Sequence, residues 1–374
     1  MSAEYRTDLR TGYTTGTCAS AAALAALLQL QTGNCPESLR VPLPQGDHLD
    51  IPIVRCEPDG AGVRATVVKD GGDDPDATHG ADIQAVVTVE PGSAPLEIRV
   101  DGGRGVGRAT LPGLPVAVGD AAINPVPLQQ IRETVAQGAR EIGLETGHIL
   151  VLVEVPNGEA IARRTLNPRL GIVGGISILG TQGIVKPYSH DSWKASIAEA
   201  LDVARAQGLD HAVFTTGRRS ERLYQATFPE TPGLAMIQAA DFFSFSMQAA
   251  LERGFTEVAW SVFFGKLVKQ AQGLPYTHAR TYPVDFDRLA EWSAQAGVAP
   301  ERLPEIRGAN TARQVLAMLE QDPALPNLLD SLALMAIGAA ESFADNRIRV
   351  SYAVFDFDDR LLCRCPARPR AEIA

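Results

Sequence analysis

Four carboxylates crowd one short turn, Lys69–Gly80 (KDGGDDPDATHG): Asp70, Asp73, Asp74 and Asp76. Aspartates this close either bond to their own backbone or stand on a polar rim, where Asp70, Asp73 or Asp74 could accept a proton. A calcium loop is excluded, because the alternating ligand spacing and terminal glutamate are absent. A second group is cationic: Arg104, Arg108, Arg163, Arg164 and Arg169, with Lys186. Among them run six glycines, Gly158, Gly171, Gly174, Gly175, Gly180 and Gly183, set in branched apolar residues between Asn157 and Pro187. That stretch is too glycine-rich for a stable helix and too apolar for a solvent loop. It reads as backbone that bends sharply or approaches something closely. A glycine floor ringed by cations suits a large, flat ligand bearing carboxylates; the plainer reading is a domain-linking crossover with surface arginines. A third group, Thr14, Thr15 and Thr17, precedes an apolar helix, and either caps that helix or leaves its first amides for an anion.

The elements that position these groups divide the chain. Residues 18–28 form an Ala- and Leu-rich helix with almost no polar face, so it is expected to be buried, and Gly33 stops it. Cys18 in its first turn has no histidine near it in sequence and reads as packing. Residues 39–101 alternate short β-like runs with turns, an antiparallel pattern. A helix follows from Pro127 through Arg140, then a strand over 148–156. Gly103-x-Gly105 after a strand is not a dinucleotide fingerprint, since the third glycine is misplaced and prolines 112 and 115 forbid the helix that should follow. Beyond Pro187 strands alternate with helices, the texture of a parallel α/β sheet; residues 233–254 read as one long helical stretch. Ligands of such sheets bind at the carboxyl ends of strands. Thr215, Thr216, Gly217 and Arg218 fall there, as do Gly265 and Lys266. The reading is therefore an α+β first domain, residues 1–187, with an antiparallel sheet and helices. An α/β Rossmann-like second domain, residues 188–374, follows it.

Composition narrows the function. A net charge of −10 over 374 residues makes nucleic acid an unlikely partner without a local basic stripe. Five cysteines, odd in number and scattered, fit a reducing cytoplasm better than a disulfide framework. Cys363-x-Cys365 lacks the further ligands of a zinc site. The apolar run Ala19–Leu30 does not read as a signal peptide, because Glu4 and Asp8 precede it and no cleavage site follows. No stretch reaches membrane-spanning length.

Long strings carry a family signature: RTGYTTGTCASAAA, KDGGDDPDATHGADI, GGRGVGRATLPGLPVAVGDAAINPVP and VPNGEAIARRTLNPRLGIVGGISILGTQGIVKP. In this order the chain resembles the cobalt-precorrin-5B (C1)-methyltransferase family of anaerobic cobalamin biosynthesis. TTGRRSE, the ADFF helix, FGKLVKQAQG and YTHAR continue the likeness, with Ala240 where the family often has glycine and Val262-Phe263-Phe264 before the GK turn. The resemblance implies transfer of a methyl group from S-adenosylmethionine to C-1 of a cobalt tetrapyrrole. Cobalt would arrive only within the substrate, and no protein metal ligands are required. The strand-end rule puts that donor near Thr216, Gly217, Arg218, Gly265 and Lys266. The macrocycle falls to Arg104, Arg108, Arg163, Arg164 and Arg169, with Thr14, Thr15 and Thr17 as a further carboxylate site. The expected partner is that small molecule, in the cytoplasm, with neither nucleic acid nor membrane; a homo-oligomer is left open. Two other classes are a tetrapyrrole carrier without chemistry and a nucleotide-dependent oxidoreductase.

Overall fold

A computed structural model describes residues 9–367. The described chain divides between His190 and Asp191 into two compact units. Each holds its own hydrophobic core.

The first unit is built on a five-stranded sheet. Its strands are β1 (Arg55–Asp59), β2 (Gly62–Val68), β3 (Asp82–Pro95), β4 (Glu97–Gly102) and β5 (Thr146–Glu154), in the order β1-β2-β3-β5-β4. All neighbours are antiparallel except β5 and β4, which run parallel. The helix α1 (Thr15–Thr32) lies against β2 and β3, with α2 (Pro125–Glu141) packed on it. Thr15 to Leu27 are all buried. A helix enclosed on every side needs small residues all round, and the run of alanines supplies them. The packing is close: a Cβ on Gly138 of α2 would stand 2.2 Å from Leu24 Cδ1. Gly33 ends α1 in the left-handed conformation, φ 78°, as the sequence required.

One expectation is overturned here. Cys35 and Cys56 form a disulfide, with Cα atoms 5.8 Å apart. The pair lies 21 residues apart in sequence. Only the fold brings the segment after α1 beside β1. Cys18 is buried, as its packing role demands, and burial pushes its thiol up to about 12.

The second unit has five strands: β6 (His211–Thr215), β7 (Met236–Gln238), β8 (Glu257–Phe263), β9 (Arg349–Phe355) and β10 (Leu361–Cys365). Their order is β7-β6-β8-β9-β10. The first four run parallel, and β10 returns antiparallel through the Asp358–Asp359 turn. Helices α3 (His190–Ala206), α4 (Arg218–Thr227), α5 (Phe243–Glu252), α6 (Phe264–Ala271), α7 (Phe286–Ala296) and α8 (Leu325–Phe343) connect and cover the strands. The stretch 233–254 is not one helix. Met236–Gln238 pairs in parallel with β6 before α5 begins. Its apolar residues fit helix and buried strand alike, and sheet pairing decides between them. The chain reverses direction across the sheet between β6 and β8, so the crevice at their carboxyl ends is the place where such sheets receive ligands.

Among the described residues no helix is long and apolar enough to cross a membrane. No group of three or more His, Cys, Asp or Glu among them could hold a metal ion.

Candidate functional site

In the first unit, three signature strings meet around the start of α1. Thr14 caps the helix, its hydroxyl accepting from Thr17 N at 3.2 Å. Thr15 Oγ1 donates to the Leu179 carbonyl at 3.1 Å and accepts from Leu179 N at 2.9 Å. Thr17 Oγ1 donates to the Gly183 carbonyl at 2.8 Å. All three threonines are buried. Of the two readings of this turn, the hydrogen bonds favour self-capping: the hydroxyls cap α1 and tie it to the glycine segment.

The aspartate turn is an organised loop. Arg10 donates to both oxygens of Asp70, and Gly72 N donates to Asp70 Oδ1 at 2.9 Å. The Arg10 hydrogen bond holds the Asp70 carboxyl down at about 2. A carboxyl that acidic is a weak base, so the geometry counts against Asp70 as the proton acceptor. Asp73 accepts from Arg10 N at 2.7 Å, and Asp74 accepts from Tyr188 N at 2.9 Å. These bonds tie the turn to the start of the described chain and to the residue after the glycine segment. The sequence also passed over Lys69, a buried ammonium that donates to Asp76. Burial works to raise the Asp76 carboxyl, but Lys69 and the Thr78 donors outweigh it and leave it lowered.

The glycine segment resolves into a crossing of backbones. A Cβ on Gly158 would lie 1.9 Å from the Gly105 carbonyl oxygen, and one on Gly175 would lie 2.0 Å from it. Here glycine admits protein backbone, so the close approach expected from sequence is made within the fold. A short helix, Gly158–Ala162, and a single 3-10 turn, Asn167–Leu170, form on either side despite the glycines. The stretches that carry the candidate arginines converge on this crossing. Arg104 precedes Gly105 and its carbonyl accepts from Val155 N at 2.8 Å. Arg163 is exposed and pairs with Glu159 one helical turn away. Arg164 reaches the Ala77 carbonyl at 3.4 Å, bridging to the aspartate turn. Arg169 is half-buried on the 3-10 turn. Arg108 donates to Asp101 at 3.2 Å and to the carbonyls of Gly102 and Gly119 at 3.1 Å. Val173 and Leu179 are exposed apolar side chains on the same segment, and Tyr188, just beyond it, is exposed too.

In the second unit, Thr216, Gly217 and Arg218 form the turn between β6 and α4, and Gly265 and Lys266 open α6 directly after β8. These strands are parallel neighbours, so the two groups share one edge of the sheet. Thr216 N donates to Ser220 Oγ at 3.0 Å. A Cβ on Gly217 would meet nothing within 4 Å, which leaves open space above that turn.

Three residues that sequence reasoning did not single out complete this edge. Lys266 Nζ donates to Asp241, and to the Thr277 carbonyl and hydroxyl at 3.3 Å. Thr277 Oγ1 donates to Asp241 Oδ1 at 3.0 Å, and Lys269 Nζ donates to the Thr277 carbonyl at 3.0 Å. Burial and the neighbouring Lys269 ammonium bring Lys266 down to about 8. Ala240, just before Asp241, holds φ 49°, a left-handed conformation that strains any residue with a Cβ. The only sequence signal was that Asp241 and Thr277 sat in recognisable strings. Nothing in their spacing placed them beside Lys266.

The CbiD family model matches residues 2–187, and the model described as CbiD, C-terminal domain, matches residues 276–366. A cobalt-precorrin-5B C(1)-methyltransferase of Nitratidesulfovibrio vulgaris is 49% identical over 94% of this chain and 91% of its own. One from Priestia megaterium is 46% identical, covering 84% of each. One from Polaromonas naphthalenivorans is 40% identical over 96% of this chain and 97% of its own. A crystal structure of the cobalamin biosynthesis protein cbiD from Archaeoglobus fulgidus is 31% identical, covers 70% of this chain and 79% of its own, and superposes with a TM-score of 0.39. With relatives this similar along nearly its whole length, the chain belongs to the CbiD family.

Proposed function

We propose that this protein methylates C-1 of cobalt-precorrin-5B in cobalamin biosynthesis, with S-adenosylmethionine as donor. The observation that carries the reading is the 49% identity over 94% of the chain to a relative bearing that name. The geometry supports it at both ends of the reaction. The first unit gathers arginines and exposed apolar side chains around one glycine crossing. The second offers the carboxyl edge of a parallel sheet, with open space above Gly217.

When bound, the donor supplies a methyl group on a sulfonium, already activated for displacement. The share left to the protein is orientation, which can supply roughly 7–11 kcal/mol of the barrier. Acid–base assistance would add only about 10²–10⁴-fold, and Asp70, Asp73 and Asp74 are already hydrogen-bonded to Arg10, Gly72 and Tyr188. Arg104, Arg163, Arg164 and Arg169 hold the macrocycle by its carboxylates, each charge-assisted bond contributing about 1.5–3 kcal/mol. Arg163 exchanges an exposed surface pair, worth little in water, for a substrate carboxylate. Val173, Leu179 and Tyr188 give the flat ring an apolar rest. Thr216, Gly217 and Arg218, with Gly265 and Lys266, hold the donor at the strand ends, which fits the Rossmann-like reading of the second unit.

The test is direct. Protein, S-adenosylmethionine and cobalt-precorrin-5B are mixed, and the tetrapyrrole is weighed by mass spectrometry. The expected product carries one added methyl group. An unchanged tetrapyrrole that still binds would point to a carrier, and calorimetric binding of a nicotinamide in place of the donor would point to an oxidoreductase.

A further inference from the structure

The cluster behind Lys266 has a charge arrangement that the bare sheet does not need. Two ammonium groups, Lys266 and Lys269, converge on one carbonyl, Thr277, and Lys266 also pairs with one carboxylate, Asp241. Lys269 is buried, while Asp241 and Lys266 keep 18% and 27% of their side-chain surface in solvent. His278 adjoins them, and burial, together with Lys266, Arg280 and Lys269, lowers its pKa, so it adds little positive charge near neutrality. The count is therefore two cations to one anion, partly withdrawn from water. An ammonium in that position is stabilised by a further negative group.

The cluster sits where β7 and β8 end. Ala239 N bonds the Thr215 carbonyl at 2.8 Å, which places the Asp241 loop beside the Thr216–Gly217 turn. The strained Ala240 backbone aims Asp241 at Lys266. Strain of this kind persists only where the surroundings over-determine it, and it gathers at ligand sites.

We propose that Asp241, Lys266, Lys269 and Thr277 seat the α-amino-acid end of the methyl donor. Lys266 and Lys269 take its carboxylate. Asp241 and the Thr277 carbonyl take its ammonium. A plain anion would satisfy the lysines but meet Asp241 at the same place, and a plain cation would meet both lysines. Only a ligand with both charges a few bonds apart matches all four groups. The Asp241–Lys266 pair, closed on itself here, opens to admit them. The proposal rests on the donor reading above and adds which end of the donor goes where.

Calorimetry on the full chain with three ligands tests it. S-adenosylmethionine carries both charges, its decarboxylated form lacks the carboxylate, and methylthioadenosine lacks the whole amino-acid end. The unaltered protein should bind S-adenosylmethionine more tightly than either truncated ligand by about 10- to 100-fold, the range of one charge-assisted hydrogen bond. Asp241→Asn should weaken S-adenosylmethionine and its decarboxylated form by a similar factor and leave methylthioadenosine unchanged. Lys266→Met should bring S-adenosylmethionine down towards the decarboxylated ligand. Equal affinity of the unaltered protein for all three ligands overturns the proposal without need of any variant, and leaves the donor reading standing. A variant that loses methylthioadenosine in proportion overturns it too, by making the cluster purely structural. If no adenosyl compound binds at all, the donor reading falls first and takes this one with it.

Discussion

Arg10 and Asp70 tie the start of the described chain to the aspartate turn, and their pairing has a pH signature. The folded Asp70 carboxyl sits at about 2, below its ordinary 3.8, chiefly through the Arg10 hydrogen bond. A depressed acid stabilises the fold above its unfolded pKa and loses that contribution as pH falls through the folded one. Asp70→Asn should therefore lower thermal stability at pH 7 by up to about 1 kcal/mol, the scale of a partly exposed pair. The gap to the unaltered protein should close as pH approaches 2. Melting curves at several pH values check this, and a deficit that stays constant with pH would assign the loss to the turn's backbone bonds instead. Ala240 makes the opposite case. Its φ of 49° costs about 1–2 kcal/mol for a residue with a Cβ. Glycine would relieve that strain, although its freer unfolded chain takes part of the gain back. Ala240→Gly should raise stability by about 0.5–1 kcal/mol, read from denaturant midpoints. A fall would mean that the alanine methyl packs usefully.

The crossing of Gly105, Gly158 and Gly175 is where the first unit is least able to change. A methyl on Gly175 would meet the Gly105 carbonyl at 2.0 Å, backbone against backbone, with no flexible side chain to move aside. Gly175→Ala should therefore destabilise the first unit by about 3 kcal/mol or more, at the upper end of overpacking. Gly174→Ala next door meets nothing within 4 Å, and its cost should come only from its left-handed φ of 88°. Comparing the two by chemical denaturation separates crowding from conformation. The segment's need for glycine was legible from composition, because no other residue lets branched apolar chain pass so close to its neighbour. What it approaches was not legible: a glycine run says that something comes near, not whether it is ligand or chain. The buried α1 could be read from its missing polar face and its end from Gly33, but which hydroxyl of the Thr14–Thr17 turn caps it could not; the fold uses Thr14. The strand Met236–Gln238 could not, since an apolar run shows no period until a partner strand fixes it. Cys35 and Cys56 were likewise hidden by their separation of 21 positions in sequence.

At the scale of the molecule, the two cores share no residue, and the site groups divide in the same way. The arginines and the glycine crossing lie in the first unit, and the strand-end turns lie in the second. The texture of the sequence changes after Pro187, and the compact units divide between His190 and Asp191. The sequence did not convey the Asp241–Lys266–Thr277 cluster, whose members come together only once β7 and β8 lie in one sheet. The division has a measurable consequence. All three tryptophans, Trp193, Trp260 and Trp292, fall in the second unit, and Trp260 and Trp292 are buried in its core. Their fluorescence therefore reports the unfolding of that unit, whereas far-ultraviolet circular dichroism reports both. A ligand that binds only the folded form stabilises by RT ln(1 + [L]/Kd), about 2.7 kcal/mol at a hundredfold excess over Kd. S-adenosylmethionine at that excess should shift the tryptophan transition to higher denaturant by that amount. Part of the dichroism change, belonging to the first unit, should stay where it was. A tryptophan transition that does not move, beside a shifted remainder, would put the donor on the glycine crossing and reverse the assignment of the two ligands.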